Sequence, residues 1–515
     1  MQKLPEPYPI MSGDYPDPSI VRVGSNYYMV HTSSYYAPGL LIWHSTDLIH
    51  WEPVTYVIKE YFGDIWAPEL VFVDGIFYLY FPANGTNYVT TSVKPEGPWT
   101  APIDLKVNGI DPGHLLSPDG KRYLYVSKGY MTELAPDGLS VLGEPQKVYE
   151  GWTIPEDWDV EGFALESPKL MYKDGYYHMI AAQGGTAGPA TSHMAVSARS
   201  RDPWGPWEHS PYNPVIHTYS RTERWWSQGH GTLIDTPDGQ WWIVYHAYEQ
   251  GYHTLGRPTL IQPVEWTEDG WLRISEGSSA IELLSKPRSV GRKSQNISSF
   301  ANSQGSSNTT PLSDRFESSQ LGWQWRFYKE YDPSRFTIGI AGSTGTVDAV
   351  NTVGTLNPAG STGEGRLILK CKDYSTSPAD SGPLLCIPDE HAYAVEVEVE
   401  VTPGVEAGLI LFYNEKCYCG IAFTEQSIYR YRRAEKGMVL TNSFNRMHLR
   451  LINDHHEVKL YYSQDGQAWS KFPQVMEVSG YHHNTIGDFL SLRLGMFAAG
   501  KGEAVFRNFK YKALE

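Results

Sequence analysis

Five aromatic-rich segments recur along the first 290 residues: NYYMVHTSS from Asn26, GIFYLYFPAN from Gly75, KRYLYVSKG from Lys121, GYYHMIAAQGG from Gly175 and GQWWIVYHAY from Gly239. Each follows a turn signal, VGSN, VDG, PDG, KDG or PDG. Such pairs accept the positive φ of a tight hairpin, so each segment reads as a strand entered from a sharp turn. With Tyr27, Phe77, Tyr123, Tyr176 and Trp241 as equivalent anchors, the steps are 50, 46, 53 and 65 residues. That is the length of one four-stranded propeller blade. A second motif marks blade edges: STDLIHW around Trp51, KPEGPW around Trp99 and SRDPWGPW around Trp207. Long helical periodicity is absent. The expected fold is all-β, a five-bladed β-propeller over residues 1–288.

Upstream of each anchor stands one ionisable residue: Asp17 in YPDPS, Glu69 in WAPEL, Asp111 in GIDPG, Glu166 in LESPK and His230 in GHGT. They lie 10, 8, 12, 10 and 11 positions before their anchors. Equivalent blade positions surround one axis, so these five side chains should converge. Asp-Pro and Glu-x-Pro also start turns, which accounts for any one of them alone. It does not account for five in register, because clustered carboxylates repel and are kept only where they are used. Neighbouring carboxylates push their pKa values apart, so that one stays ionised while another holds its proton near neutrality. Cleavage of a glycosidic bond needs that combination. The sequence carries no Gly-x-Ser-x-Gly elbow and no phosphate loop. Trp66, Trp225 and Trp226 flank the polar positions, either as an apolar floor for a sugar ring or as blade packing.

Basic residues number 42 and acidic residues 58, a net charge of −16. Without a basic cluster, such a chain is not built for nucleic acid or an anionic membrane. No stretch approaches the 18 or so apolar residues of a membrane span. The opening MQKLPEPYPI has no apolar signal core, so the expected location is the cytoplasm, or outside the cell as a mature form without its leader. The four cysteines, Cys371, Cys386, Cys417 and Cys419, have no zinc-type spacing. Their pairing is left open.

After residue 288 the composition changes. SVGRKSQNISSFANSQGSSNTTPLSD is rich in Ser, Asn and Gly and reads as a linker over 289–312. Beyond it, AYAVEVEVEVT alternates strictly, with Val395, Val397, Val399 and Val401 on one face and Glu396, Glu398 and Glu400 on the other. That is a half-buried antiparallel strand. AGLILFYN, MHLRLIN, HEVKLYYS and AVFRNFKYK continue in kind, so a β-sandwich is expected over 313–515.

The runs SGDYPDPSIVRVGSNYYMV, WAPEL, GIDPG, ESPKLMYKDGYYHMIAAQGGT, SQGHGTLIDTPDGQWWIVYHA and GRPTLIQPVEW together resemble glycoside hydrolase family 43, continuously over about the first 290 residues. The resemblance implies an enzyme that inverts anomeric configuration. Asp17 would be the general base and Glu166 the general acid. Asp111 would tune and orient the acid. Arg257 would sit beside the sugar hydroxyls, with Trp66 and Trp226 as further substrate contacts. His230 would lie on the axis and touch a structural calcium through its water shell. Glu69 stands where relatives often carry Asp, and takes a supporting or substrate-contact role. Glu161 is a second acid close to blade four. Glu166 is preferred because Pro168 and the Tyr-rich strand follow it at blade spacing. Inversion implies Asp17 and Glu166 carboxyls about 6.5–9.5 Å apart.

The C-terminal sandwich resembles that of one branch of the family, populated by β-xylosidases and α-L-arabinofuranosidases. This implies exo-acting release of terminal β-D-xylose and/or α-L-arabinofuranose from hemicellulose-derived oligosaccharides such as xylo-oligosaccharides and arabinoxylan. The sandwich is expected to pack on the propeller rather than to bind sugar. The alternatives are an endo-arabinanase or exo-galactanase on the same fold, and a non-catalytic carbohydrate-binding propeller. The partner is an oligosaccharide substrate. Oligomeric state is not readable from the sequence.

Overall fold

The computed structural model describes residues 5–277, 279–284, 311–340, 365–372 and 374–514. All but the last two residues of the expected 289–312 linker lie outside them. Five antiparallel sheets form the propeller. From the inside outwards, blade one is Ser19–Val23, Asn26–Val30, Gly39–Ser45 and Glu52–Ile58. Blade two is Glu69–Val73, Ile76–Ala83, Thr86–Ser92 and Ile103–Asp104. Blade three is Gly113–Leu116, Arg122–Val126, Tyr130–Leu134 and Gln146–Lys147. Blade four is Glu166–Lys173, Tyr176–Gln183, Met194–Ser200 and Glu208–His209. Blade five is Trp225–Asp235, Trp241–Glu249 and Thr259–Trp266. Its outer place is taken by Tyr8–Met11, which pairs with Thr259–Trp266, so the start of the chain closes the ring.

Each aromatic repeat is the second strand of its blade. The turns before them behave as their residues dictate: Asp74 and Gly75 have φ of 51° and 82°, Asp174 and Gly175 have 50° and 79°. Two consecutive positive φ values give the turn whose twist matches paired strands. The recurring tryptophans plug the blade edges. Trp99 packs at 6.4 Å from Phe77, and Trp207 lies between Tyr125 and Tyr149 at 6.3 and 6.1 Å. The first strands of neighbouring blades pack on one another around the axis. Whatever stands at the head of a first strand is therefore delivered to the centre.

The second domain is a sandwich of two large antiparallel sheets. In Ala392–Val401 the valines face the opposite sheet and are at most 2 % exposed. The glutamate face is only partly open to water. Glu398 is buried under Arg446 and Arg507, at 2.6 and 3.1 Å, and Glu396 meets Arg450 at 2.6 Å. Cross-strand arginines thus cover part of the alternate face that the sequence pattern assigns to solvent. All four cysteines are free thiols.

The domains share structure. Tyr36–Ala37 of the propeller pairs with Arg326–Tyr328, extending a sandwich sheet. Arg493 of the sandwich is buried 3.3 Å from Asp14, with its guanidinium 3.3 Å from the centre of the Tyr36 ring. Removing one member of such a buried pair typically costs about 3–5 kcal/mol, so the sandwich is joined to the propeller by more than surface contact.

Candidate active site

The heads of the first strands in blades one, three and four and the middle of Trp225–Asp235 in blade five bring Asp17, Asp111, Glu166 and His230 together. Asp17, Asp111 and His230 share a left-handed backbone, with φ of 57°, 55° and 57°. Only Gly, Asn and Asp visit that region readily, and such departures gather at functional sites. In blade four the left-handed residue is Ser167, φ 51°, one position after Glu166. The register shifts there, between Glu166 and Lys169.

Asp17 is buried, with its backbone N–H donating to His246 Nδ1 at 3.1 Å and its carboxylate ringed by nitrogens. Its Oδ1 lies 3.2 Å from Arg257 Nη1, 3.1 Å from His246 Nδ1 and 3.3 Å from His230 Nδ1. Thr32 donates its hydroxyl to Oδ2 at 2.5 Å. Burial alone would raise the carboxyl's pKa, but Arg257, His230 and His246 overcome it and hold Asp17 well below the usual carboxylate range. Oδ1 is crowded by three nitrogens. Oδ2 has only Thr32 among these partners, so it is the oxygen with capacity left to accept a proton from water.

Glu166 is the opposite case. Burial, then the charges of Asp111 and Asp17, push its pKa well above the usual value, with Arg257 opposing. Asp111 is raised by burial and by Asp17. It keeps partial support: Ser167 N donates to Oδ2 at 3.1 Å, and His230 Nδ1 is 3.9 Å away. The proton of this carboxyl pair therefore belongs on Glu166. Apolar groups wall the space beside it, among them Leu165, Tyr149, Met179 and Ala181, which is why its charged form is disfavoured. Glu161 accepts from Ala187 N at 3.0 Å and is exposed. It holds the loop that leads from Gly184 to Thr186, whose hydroxyl meets His246 Nε2 at 2.9 Å.

Glu69 reaches the same axis and is neutralised there. Lys169 Nζ sits 2.6 Å from Oε2, Ser19 donates its hydroxyl to the same oxygen at 2.9 Å, and His114 N approaches Oε1 at 3.4 Å. Both side chains are at most 7 % exposed. The geometry makes Glu69 a strut between blades two and four, the supporting one of the two roles expected of it.

Arg257 lies against Asp17, with the Phe489 ring 5.7 Å from its guanidinium. Phe489 comes from the sandwich. Trp66 is 40 % exposed, and its indole hydrogen-bonds Asp64, which also pairs with Tyr35. Trp226 donates its indole N–H to the Glu223 carbonyl at 3.0 Å and meets His253 edge-on at 5.5 Å. His253 in turn packs 5.1 Å from His482 of the sandwich. Trp226 thus serves the domain boundary, and Trp66 keeps a free face. Sequence reading passed over His246, Thr32, Lys169 and Phe489. His246 and Lys169 had a signal, a polar residue inside an apolar strand. Phe489 had none.

The expected calcium can be tested against the donors. Asp17, His230 and His246 place one ligand atom each within 4.8 Å of one another. His230 Nε2 is buried without a partner. Calcium takes six to eight oxygens, whereas this cluster offers two imidazoles and one carboxylate whose Oδ1 already meets Arg257. The set is therefore no direct calcium site; the calcium expected here touches His230 only through its water shell and needs none of these atoms as direct ligands. Burial lowers the pKa values of both imidazoles.

Comparison with known proteins agrees with this arrangement. Residues 7–272 match the model of glycosyl hydrolases family 43, and residues 361–512 match the β-xylosidase C-terminal concanavalin A-like domain. A xylan 1,3-β-xylosidase of a Vibrio species is 30 % identical over 54 % of this chain and 59 % of its own length. A non-reducing end α-L-arabinofuranosidase of Bacteroides ovatus is 30 % identical over 62 % of this chain and 60 % of its own. The chain thus spans about three fifths of the length of these curated relatives. Among solved structures, a xylan β-1,4-xylosidase from Bacillus halodurans superposes with a TM-score of 0.79 at 26 % identity, covering 99 % of this chain and 100 % of that one. With its family model matched across all five blades and its carboxylates converging on their axis, the chain belongs to glycosyl hydrolases family 43.

Proposed function

We propose that this protein is an exo-acting, inverting glycoside hydrolase that removes terminal β-D-xylose and/or α-L-arabinofuranose from hemicellulose-derived oligosaccharides. One observation carries the reading: Asp17, whose pKa is held well below the usual range, lies close enough to Glu166 for its charge to help push the pKa of Glu166 well above it. The names of the relatives supply the pentoses.

The mechanism follows from those two carboxyls. The non-reducing end binds beside them, and Arg257 bonds its hydroxyls while holding Asp17 in place. Water bound at Asp17 Oδ2 attacks the anomeric carbon from one face as Oδ2 takes its proton. Glu166 gives its proton to the departing glycosidic oxygen on the other face. Asp111 keeps that proton on Glu166 through like-charge proximity until the bond breaks. No step runs through a metal ion.

The test is hydrolysis of nitrophenyl β-D-xylopyranoside and α-L-arabinofuranoside, with proton NMR of the first anomer released. Cleavage with the inverted anomer supports the reading, and the rate ratio names the preferred sugar. A retained anomer removes the inverting mechanism. An inert protein removes the pentose assignment.

A further inference from the structure

The segment that leads into Glu166 carries aromatic rings that the mechanism does not use. Trp158 stacks on His217 with centroids 4.4 Å apart and planes 10° from parallel. Tyr219 stands edge-on to His217 at 4.7 Å and is 63 % exposed. Phe163, three residues before Glu166, is 49 % exposed. The ladder is anchored on the loop that supports the catalytic residues. His217 Nε2 meets the Thr191 carbonyl at 2.9 Å, and the Thr191 hydroxyl donates to the Asp159 carbonyl at 2.9 Å. Gly184 N donates to the Phe163 carbonyl. The same loop carries Thr186, the partner of His246.

We propose that Phe163, Trp158 and Tyr219 form the platform on which the leaving part of the oligosaccharide lies, and that it is built for an uncharged pentose chain. This rests on the reading of Glu166 as the acid. An acid that protonates the departing oxygen must stand on the leaving-group side, so the segment running into it borders the path of the trailing sugars. Exposed rings fixed by neighbours lose little entropy when a sugar face stacks on them. Charge decides the kind of chain. Residues 156–161 hold four carboxylates, Glu156, Asp157, Asp159 and Glu161, all exposed. A chain bearing a uronic acid on its leaving side meets like charge there.

The experiment compares kcat/KM for xylotetraose and xylobiose in wild type, Tyr219→Ala and Phe163→Ala. Wild type is expected to favour the tetraose, and each variant to lower the tetraose-to-biose ratio by about tenfold at most, the loss of one aromatic contact. A tetraose with a glucuronic acid on its leaving side should be cleaved more slowly than the neutral chain. The gap should narrow in Glu156→Gln/Asp157→Asn. If wild type shows no chain-length preference, or both variants keep it, the platform is overturned while the hydrolase reading stands. If neutral and acidic chains react alike, the charge selection is overturned. If wild type cleaves no pentoside, the hydrolase reading fails and the platform with it.

Discussion

Blades two and four present a glutamate at the same place, the head of the innermost strand with a proline within two residues, and make opposite uses of it. Glu69 meets Lys169 at 2.6 Å. Glu166 meets two further carboxyls, and its pKa climbs. Lys169 lies on the strand that Glu166 begins, three residues on. Blade four thus sends Lys169 to the glutamate of blade two, while the cation that opposes the rise of Glu166 is Arg257. Position brings a carboxyl to the axis, but the neighbours decide whether it becomes a strut or an acid.

The contrast can be broken most sharply at the acid. Glu166→Ala should lower kcat on xylo-oligosaccharides by about 10²–10⁴, the usual worth of a general acid. It should cost far less on nitrophenyl glycosides, whose leaving group departs without a proton. Equal losses on both would show that Glu166 does not act as the acid. At the strut, Lys169→Met leaves Glu69 charged and buried. Thermal and urea unfolding should show about 3–5 kcal/mol of destabilisation. Glu69→Gln/Lys169→Met should regain much of it, because no bare charge remains. A double variant as unstable as the single one would place the fault in packing, not charge.

A smaller effect sharpens the link between the two carboxyls of the acid pair. Because Glu166 is raised, activity should persist through neutrality and fall as pH rises through its folded-state value. Asp111→Asn removes a like charge, which lowers the pKa of Glu166. The alkaline limb of the kcat/KM profile should therefore move to lower pH by about one unit or more. An unmoved limb would mean that burial alone holds the proton. Smallest of all is metal removal. Dialysis against a chelator should leave turnover within error, since the axial donors make no direct calcium site. A loss restored by added calcium would point instead to the water-shell calcium at His230.

Much of this was legible before any coordinates. The anchors Tyr27 to Trp241 recur at blade length, and hairpin pairs such as Asp74-Gly75 can only turn sharply, so the propeller follows from local rules. Asp17, Asp111, Glu166 and His230 were found because an axis turns equal spacing into proximity. Glu69 satisfied the same rule, and its neutralisation was hidden because Lys169 lies 100 residues away. The glutamates of Ala392–Val401 read as solvated, yet Glu398 is buried under arginines from two neighbouring strands.

By itself, the sequence determined what repeats: blade count, the aromatic strand that marks each blade, and which five ionisable residues share the axis. These depend on periodicity and turn chemistry, which act over a few residues. The tertiary structure alone decided which carboxyl is ionised, which keeps its proton and which is cancelled, and that Phe489 of the sandwich stands beside Arg257. Those outcomes depend on charges and apolar walls brought close from distant parts of the chain. Electrostatic interaction follows distance in space and the dielectric around it, and no local pattern encodes either.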